Sequence, residues 1–216
     1  MLLQNIKIFC INLDRSQDRW SRVTENFNQL GQEVERFPAF DGKLMTENDV
    51  PSSWIEYSYF GTGWAGCTLS HYRLWEHILT TDLEYACVLE DDAQVIQRID
   101  NIEVPDDFDI VYISSRIAGD SSGKAMAGCG TESYIVSRKG CERLLTICED
   151  MYNPIDLRIQ AHIRGFIEHG HGLCKGFSDP NQPFHSKKHD DIIIEGYRTP
   201  QVYTRHQDHG ISYVNG

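Results

Sequence analysis

The run Tyr85-Ala86-Cys87-Val88-Leu89 is apolar along its whole length and breaks off into three consecutive acids, Glu90-Asp91-Asp92. A short apolar run bounded this sharply is a strand buried on both faces, as parallel strands are when helices cover the sheet. The acids mark the point where the strand leaves the core. In an open α/β sheet that carboxyl edge is where ligands bind. Residues 6–13, Ile-Lys-Ile-Phe-Cys-Ile-Asn-Leu, form a second such run that stops at Asp14-Arg15-Ser16.

The segments between these runs have a different period. A helix is expected from about residue 16 to 29, followed by a short strand over 34–40 that the turn dipeptide Asp41-Gly42 ends. After Gly66 the apolar residues Cys67, Leu74, Trp75 and Ile78 recur on one helical face. Strands are expected again at 109–113 and 133–136. Cys141, Leu144, Leu145 and Cys148 then repeat at helical spacing between Arg138 and Glu149. Strands alternating with helices predict one α/β domain over residues 1–216, its sheet flanked by helices on both faces. Residues 44–63 are irregular and aromatic, with Trp54, Tyr57, Tyr59 and Phe60, and a loop of that length is usually functional. The tail from Phe177 is rich in Pro, His and Asp, with one apolar run at Ile192-Ile193-Ile194, and is expected to wrap back over the domain.

Composition excludes several classes. A chain of 216 residues can bury roughly 70% of its unfolded surface, so folding requires no disulfide or structural metal. With 11% aromatic residues it is not a disordered chain. A formal charge of −12 with scattered Lys and Arg argues against a nucleic-acid partner. No stretch approaches the ~20 apolar residues of a membrane span, and no signal peptide is visible, so the expected compartment is the cytoplasm. Seven cysteines without C-x-x-C spacing read as buried free thiols in a reducing compartment.

Three features could carry chemistry. Alternation along the strand puts Glu90 and Asp92 on one side and Asp91 on the other, so two carboxylates could hold one hard cation; a solvated acidic turn is the alternative. In Asn12-Leu13-Asp14-Arg15-Ser16-Gln17-Asp18-Arg19 a strand gives way to a helix start, an anion-binding junction that Arg15 and Arg19 could reinforce. Arg19 could equally pair with Asp18, Asp14 or Glu33. In Gly66-Cys67-Thr68-Leu69-Ser70-His71, Ser70 could approach a ligand closely or permit tight helix packing, and His71 is a ligand or a hydrogen-bonded core residue.

Together these pieces resemble glycosyltransferase family 25, which includes bacterial lipooligosaccharide galactosyltransferases and collagen galactosyltransferases. The resemblance runs in order from Ile11-Asn12-Leu13-Asp14-Arg15-Ser16 through Phe37-Pro38-Ala39-Phe40-Asp41-Gly42 and Gly66 to His71 with Trp75. It continues through Leu89-Glu90-Asp91-Asp92-Ala93, Gly130-Thr131-Glu132-Ser133-Tyr134-Ile135-Val136-Ser137 and Pro154-Ile155-Asp156. It covers about residues 6–160 and only loosely the remainder. It implies a GT-A fold, a Rossmann-like mixed sheet flanked by helices, with a nucleotide-sugar half over about residues 1–110 and an acceptor side over about 111–216. It also implies a metal-dependent, inverting transfer of a hexose, galactose above others, from a UDP-sugar to a glycan or glycoprotein, as in lipopolysaccharide biosynthesis. Asp92 and Glu90 would bind Mn²⁺, or Mg²⁺, in the place of the family's DxD motif. Asn12, Leu13, Arg15, Arg19, Phe40, Asp41, Ser70, His71, Glu90 and Asp91 would contact the donor. Asp156 is the candidate base, with a helix N-cap as the alternative reading. Of the C-terminal histidines 185, 189, 206 and 209, His185 is favoured as a further metal ligand. Glu132 stands where smaller residues are more usual in the family. Trp54 or Trp64 is expected to stack on a sugar face.

Two rivals remain at this stage. His185, His189, Asp190, Asp191, His206 and His209 could form a zinc site of a hydrolase, although Lys187 and Lys188 stand between them. A non-catalytic nucleotide-sugar or glycan-binding module is the other.

Overall fold

The computed structural model describes residues 1–54, 61–149, 154–168, 189 and 191–206. Its elements run β1 (Leu2–Leu3), β2 (Ile8–Asn12), α1 (Gln17–Gln29), β3 (Glu35–Pro38), α2 (Thr62–Leu79), β4 (Tyr85–Glu90), β5 (Ala93–Val95), β6 (Ile102–Glu103), β7 (Ile110–Tyr112), β8 (Ile117–Gly119), β9 (Ala125–Gly128) and β10 (Ser133–Ser137). Then follow α3 (Arg138–Ile147), α4 (Ile155–His162), α5 (Arg164–Glu168), β11 (Gly196–Arg198) and β12 (Thr204–His206).

The two apolar runs become β2 and β4, adjacent and parallel at the centre of a six-stranded sheet of order β11-β7-β10-β4-β2-β3. β3 lies parallel to β2, and β11 parallel to β7. β10 is antiparallel to both β4 and β7, so it alone runs against the other five strands. Side-chain alternation divides the core into two layers. Phe9, Ile11, Val88, Tyr112 and Tyr134 pack against α2, α3, α4 and α5 on one face. Cys10, Cys87, Leu89, Val111 and Ile135 pack with Val23 and Phe27 of α1 on the other. The mixed α/β sheet flanked by helices is therefore present as expected.

Three expectations need correction. The regular alternation of strand and helix fails between residues 93 and 133, where five short strands follow one another. They have two to four residues each and pair mostly with distant segments, β1 with β6 and β5 with β12, so they are too short to impose a local period. The tail does more than wrap over the domain: Ile194 is fully buried, and β11 forms the edge strand beside β7. The helix read as starting after Gly66 begins at Thr62.

Gly66 owes its place to packing. A Cβ there would sit 2.6 Å from the Phe40 carbonyl oxygen, and one on Gly42 would sit 1.7 Å from the Thr62 carbonyl oxygen. The loop after β3 thus lies backbone against backbone on the first turns of α2. Gly42→Ala is expected to destabilise the fold by about 1–3 kcal/mol or more, because neither backbone can yield without moving the helix. Urea unfolding checks this; an unchanged midpoint would mean that the loop can lift away from α2.

Cys10, Cys87, Cys141 and Cys148 are buried, Cys67 is partly exposed and Cys129 is exposed; Cys174 lies outside the described residues. No helix among the described residues is long and apolar enough to cross a membrane.

Candidate active site

Glu90 and Asp91 leave the carboxyl end of β4 toward opposite layers. Asp91 turns to the α1 side, where its carboxylate meets the Arg19 guanidinium at 2.6 Å and accepts the Asn12 Nδ2–H at 2.7 Å. Asn12 also donates to the Ser16 carbonyl at 3.1 Å and accepts from Arg36 Nε at 2.8 Å. Arg36 reaches on to Asp14 at 2.6 Å. Asn12, Arg19 and Asp91 are therefore joined into a nearly buried brace between β2, α1 and the end of β4. Their visible role is to fix the turn that carries the acids. Arg19 pairs with none of the three acids considered for it, but with Asp91, 72 residues away.

Glu90 turns to the α2 side. Its Oε1 accepts from Thr131 Oγ1 at 2.7 Å and lies 3.3 Å from His71 Nε2. His71 is fully buried, and its Nδ1 lies 2.8 Å from the Tyr134 hydroxyl, which accepts the Trp75 indole N–H at 2.9 Å. A carboxylate only accepts, so Nε2 donates to Glu90 while Nδ1 is tied to the Tyr134 hydroxyl. A buried relay from Trp75 through Tyr134 and His71 thus orients Glu90. Burial works against its ionisation, yet the hydrogen bond and electrostatic pull of His71, the hydrogen bond from Thr131 and the charge of Arg116 hold its carboxyl below the ordinary range.

Asp92 follows in the turn. Burial, with the charges of Glu90 and Asp91, pushes its carboxyl up to about 7 against the pull of Arg19. Asp156 lies in the first turn of α4, where its Oδ1 accepts the Leu157 N–H at 2.9 Å. Pro154, not Asp156, is the N-cap residue of that helix. Burial raises the Asp156 carboxyl, and Glu90 adds to this against Arg116. The fields of Glu90, Asp156 and Asp92 all reach the Cys67 thiol, which burial already pushes up. Cys67, His71 and Glu90 offer ligand atoms within 4.8 Å of one another. Segments far apart in sequence therefore bring Glu90, Asp92 and Asp156 together around the start of α2.

The other expected contacts are distributed as follows. Arg15 and Asp41 form an ion pair of 2.6 Å, with Arg15 39% exposed, and Leu13 and Phe40 are half-buried near it. The Ser70 hydroxyl is buried, accepting the Phe40 N–H at 2.9 Å and donating to the Gly66 carbonyl at 2.6 Å. Trp54 corrects an expectation. It is buried in the core, donates its indole N–H to the Cys148 carbonyl at 2.9 Å and meets Tyr72 edge-on, so it has no face to offer a sugar. Trp64, 37% exposed, retains one. His185 and His209 lie outside the described residues, whereas His189 faces Glu149 at 3.1 Å. Among the described residues the tail shows no metal-type grouping. The sequence did not signal Arg36 or Arg116 as part of this edge, because each reaches it only through segments distant in the chain; Thr131 stood out only within the motif of the family resemblance.

Comparison with known proteins gives this edge a context. The family described as "Glycosyltransferase family 25 (LPS biosynthesis protein)" matches residues 5–103. A "Glycosyltransferase 25 family member" of Aedes aegypti is 28% identical over 166 residues, 64% of this chain and 27% of that protein. "Procollagen galactosyltransferase 2" of Homo sapiens is 28% identical over 169 residues, again 64% of this chain and 27% of the relative. The chain thus spans about a quarter of the length of these curated relatives. A solved active-site mutant of LgtC aligns over 94% of this chain and 87% of that chain with a TM-score of 0.47 and 9% identity, a likeness too slight to bear on chemistry. The resemblance to glycosyltransferase family 25 is borne out.

Proposed function

We propose that this chain, whose kinship with glycosyltransferase family 25 runs through residues 5–103, is a metal-dependent, inverting glycosyltransferase of GT-A layout. It moves a hexose, galactose above others, from a UDP-sugar to a hydroxyl of a glycan or glycoprotein. The observation that carries this reading is the convergence of Glu90 and Asp92 with Asp156 at the carboxyl edge of the sheet, with Asp92 pushed up to about 7. Carboxylates crowded until one retains its proton form a donor set suited to a hard divalent cation.

Glu90 and Asp92 would hold Mn²⁺ or Mg²⁺, which when bound neutralises charge on a diphosphate leaving group. The protein's own residues do the rest. The brace of Arg19, Asp91 and Asn12 keeps the acidic turn in place, and the relay ending in His71 aims Glu90. Arg15, at the exposed rim, presents a guanidinium to an anionic donor, and Trp64 presents an aromatic face. Asp156 takes the proton of the acceptor hydroxyl as the acceptor oxygen bonds to the anomeric carbon and the bond from that carbon to the phosphate oxygen breaks on the opposite face. A carboxyl raised by burial suits a base for this step. The donor then belongs to about residues 1–110 and the acceptor to about 111–216.

Calorimetry of UDP and UDP-galactose with and without Mn²⁺ tests this. Binding is expected to need the cation and to vanish in Asp92→Ala. Below about 7 the Asp92 carboxyl retains its proton, and the cation must displace it. Mn²⁺ affinity is therefore expected to rise by up to about tenfold per pH unit on the acid side and to level off above. Binding of UDP that ignores both Mn²⁺ and Asp92→Ala would leave a nucleotide-binding module, and no binding at all would remove the donor reading.

A further inference from the structure

We propose that Glu132, together with the Tyr112 hydroxyl, binds hydroxyl groups of the transferred hexose and sets which hexose is accepted; this rests on the donor reading above.

Strand register places these groups without reference to any ligand. Ser133 pairs with Leu89 and Tyr134 with Tyr112, so, one residue beyond the first pair and two beyond the second, Glu132 stands across from Glu90 on one side and from Ser114 on the other. The Glu90 N–H donates to the Glu132 carbonyl at 2.9 Å, and the Ser114 hydroxyl donates to Glu132 Oε1. Residues directly opposite in antiparallel strands have Cβ atoms about 4.5–5.5 Å apart. Ser114, Glu132 and Glu90 therefore form a row across β7, β10 and β4. The row behind it is Tyr112, Tyr134 and Val88, which all belong to the core layer on the α2 side.

Two atoms in these rows have no hydrogen-bond partner among the described residues. Glu132 is 2% exposed, and its Oε2 has no hydrogen-bond partner among the described residues. Arg116 Nη1 forms an ion pair with this oxygen at 3.7 Å, longer than a hydrogen bond, so the oxygen can still accept one. Tyr112 is 1% exposed, and its hydroxyl likewise has none. Buried polar atoms without partners are rare, and each calls for an explanation. Here Glu132 stands directly across from the carboxylate proposed to hold the cation, and Tyr112 lies one row back on the next strand. A Cβ on Gly130, at φ 116°, would sit 2.4 Å from Glu132 Oε2 and 3.0 Å from Arg116 Nη1, so the bare glycine leaves room for both groups.

The chemistry selects the ligand. Glu132 Oε2 can accept from a hydroxyl, and the Tyr112 hydroxyl can both give and accept. Glu90 and Asp92 would hold a divalent cation that neutralises a diphosphate, and Glu132 stands directly across from Glu90 where a sugar attached to that diphosphate could be met. A hexose ring presents the directed hydroxyl donors that this wall lacks. Because galactose and glucose differ in the direction of one hydroxyl, a fixed carboxylate discriminates between them where an apolar wall would not.

The test is calorimetry with UDP, UDP-galactose and UDP-glucose in saturating Mn²⁺ on the native protein, Glu132→Gln and Tyr112→Phe. In Glu132→Gln the affinity for UDP is expected to stay within about twofold, while the extra affinity that the preferred hexose adds falls by roughly tenfold or more. The ratio between the two UDP-hexoses should move toward one. Tyr112→Phe removes only a hydroxyl without a partner and should fold normally, keep the affinity for UDP and lose part of the hexose contribution. A hexose contribution unchanged in both variants overturns the inference while the donor reading stands. Native protein that fails to bind UDP overturns both.

Discussion

Asp156→Asn is expected to bind UDP and Mn²⁺ as the native protein does, yet to turn over about 10²–10⁴-fold more slowly. The substitution keeps the shape and retains an oxygen to accept the Leu157 N–H, but it removes the group that takes a proton. Hydrolysis of UDP-galactose by water, measured without any acceptor, gives the rate; calorimetry gives the affinity. Because burial and Glu90 raise the Asp156 carboxyl, the native rate should rise with pH through a value above the ordinary carboxylate range and fall in acid. A variant with the native rate would move the base elsewhere, and Glu132, whose carboxyl burial also raises, would be the next candidate.

Arg19→Leu is expected to destabilise the protein by about 3–5 kcal/mol, since it leaves the Asp91 charge nearly buried with Asn12 as its remaining partner among the described residues. At this chain length each kcal/mol lowers the melting temperature by about 2–4 °C. The two side chains are 9% and 11% exposed, so solvent screens the pair little. Adding Asp91→Asn should recover part of the loss, because the stranded charge goes with it. Arg19 also opposes the rise of the Asp92 carboxyl, so in Arg19→Leu the pH dependence of Mn²⁺ binding should move upward. A loss below about 1 kcal/mol would mean that the pair behaves as a surface ion pair.

The legible parts of this molecule are those where burial writes a local period. β2 and β4 can be read because strands covered on both faces are apolar throughout, and α1 and α3 because their buried faces repeat. The opposite directions of Glu90 and Asp91 follow from alternation alone. The Arg19 to Asp91 pairing does not, because nearer acids offered equal chances and only the docking of α1 on β4 decides among them. Trp54 was misread for a similar reason. Pro51, Ser52 and Ser53 around it give the segment the polarity of a surface loop, while its burial depends on the Cys148 carbonyl that receives its N–H. β11 and the reversed direction of β10 left no trace, since a strand of three residues or an inverted neighbour changes nothing in the local pattern. Three landmarks of the family resemblance fall on points where segments touch: Gly42 on α2, Gly66 on the β3 loop, Thr131 on Glu90.

The insertion of β10 between β4 and β7 has a consequence for any shorter version of this chain. A fragment ending near residue 103 would contain β2, β3 and β4 and all three acids of the turn, yet the hydrogen-bonding side of β4 that β10 covers would be open. That side belongs to Ala86, Cys87, Val88 and Leu89, all at most 1% exposed in the whole chain. An uncovered apolar edge of this kind is a template for pairing with other molecules, and such a fragment should aggregate instead of binding nucleotide. The later half of the chain thus acts as the seal that keeps the earlier half soluble.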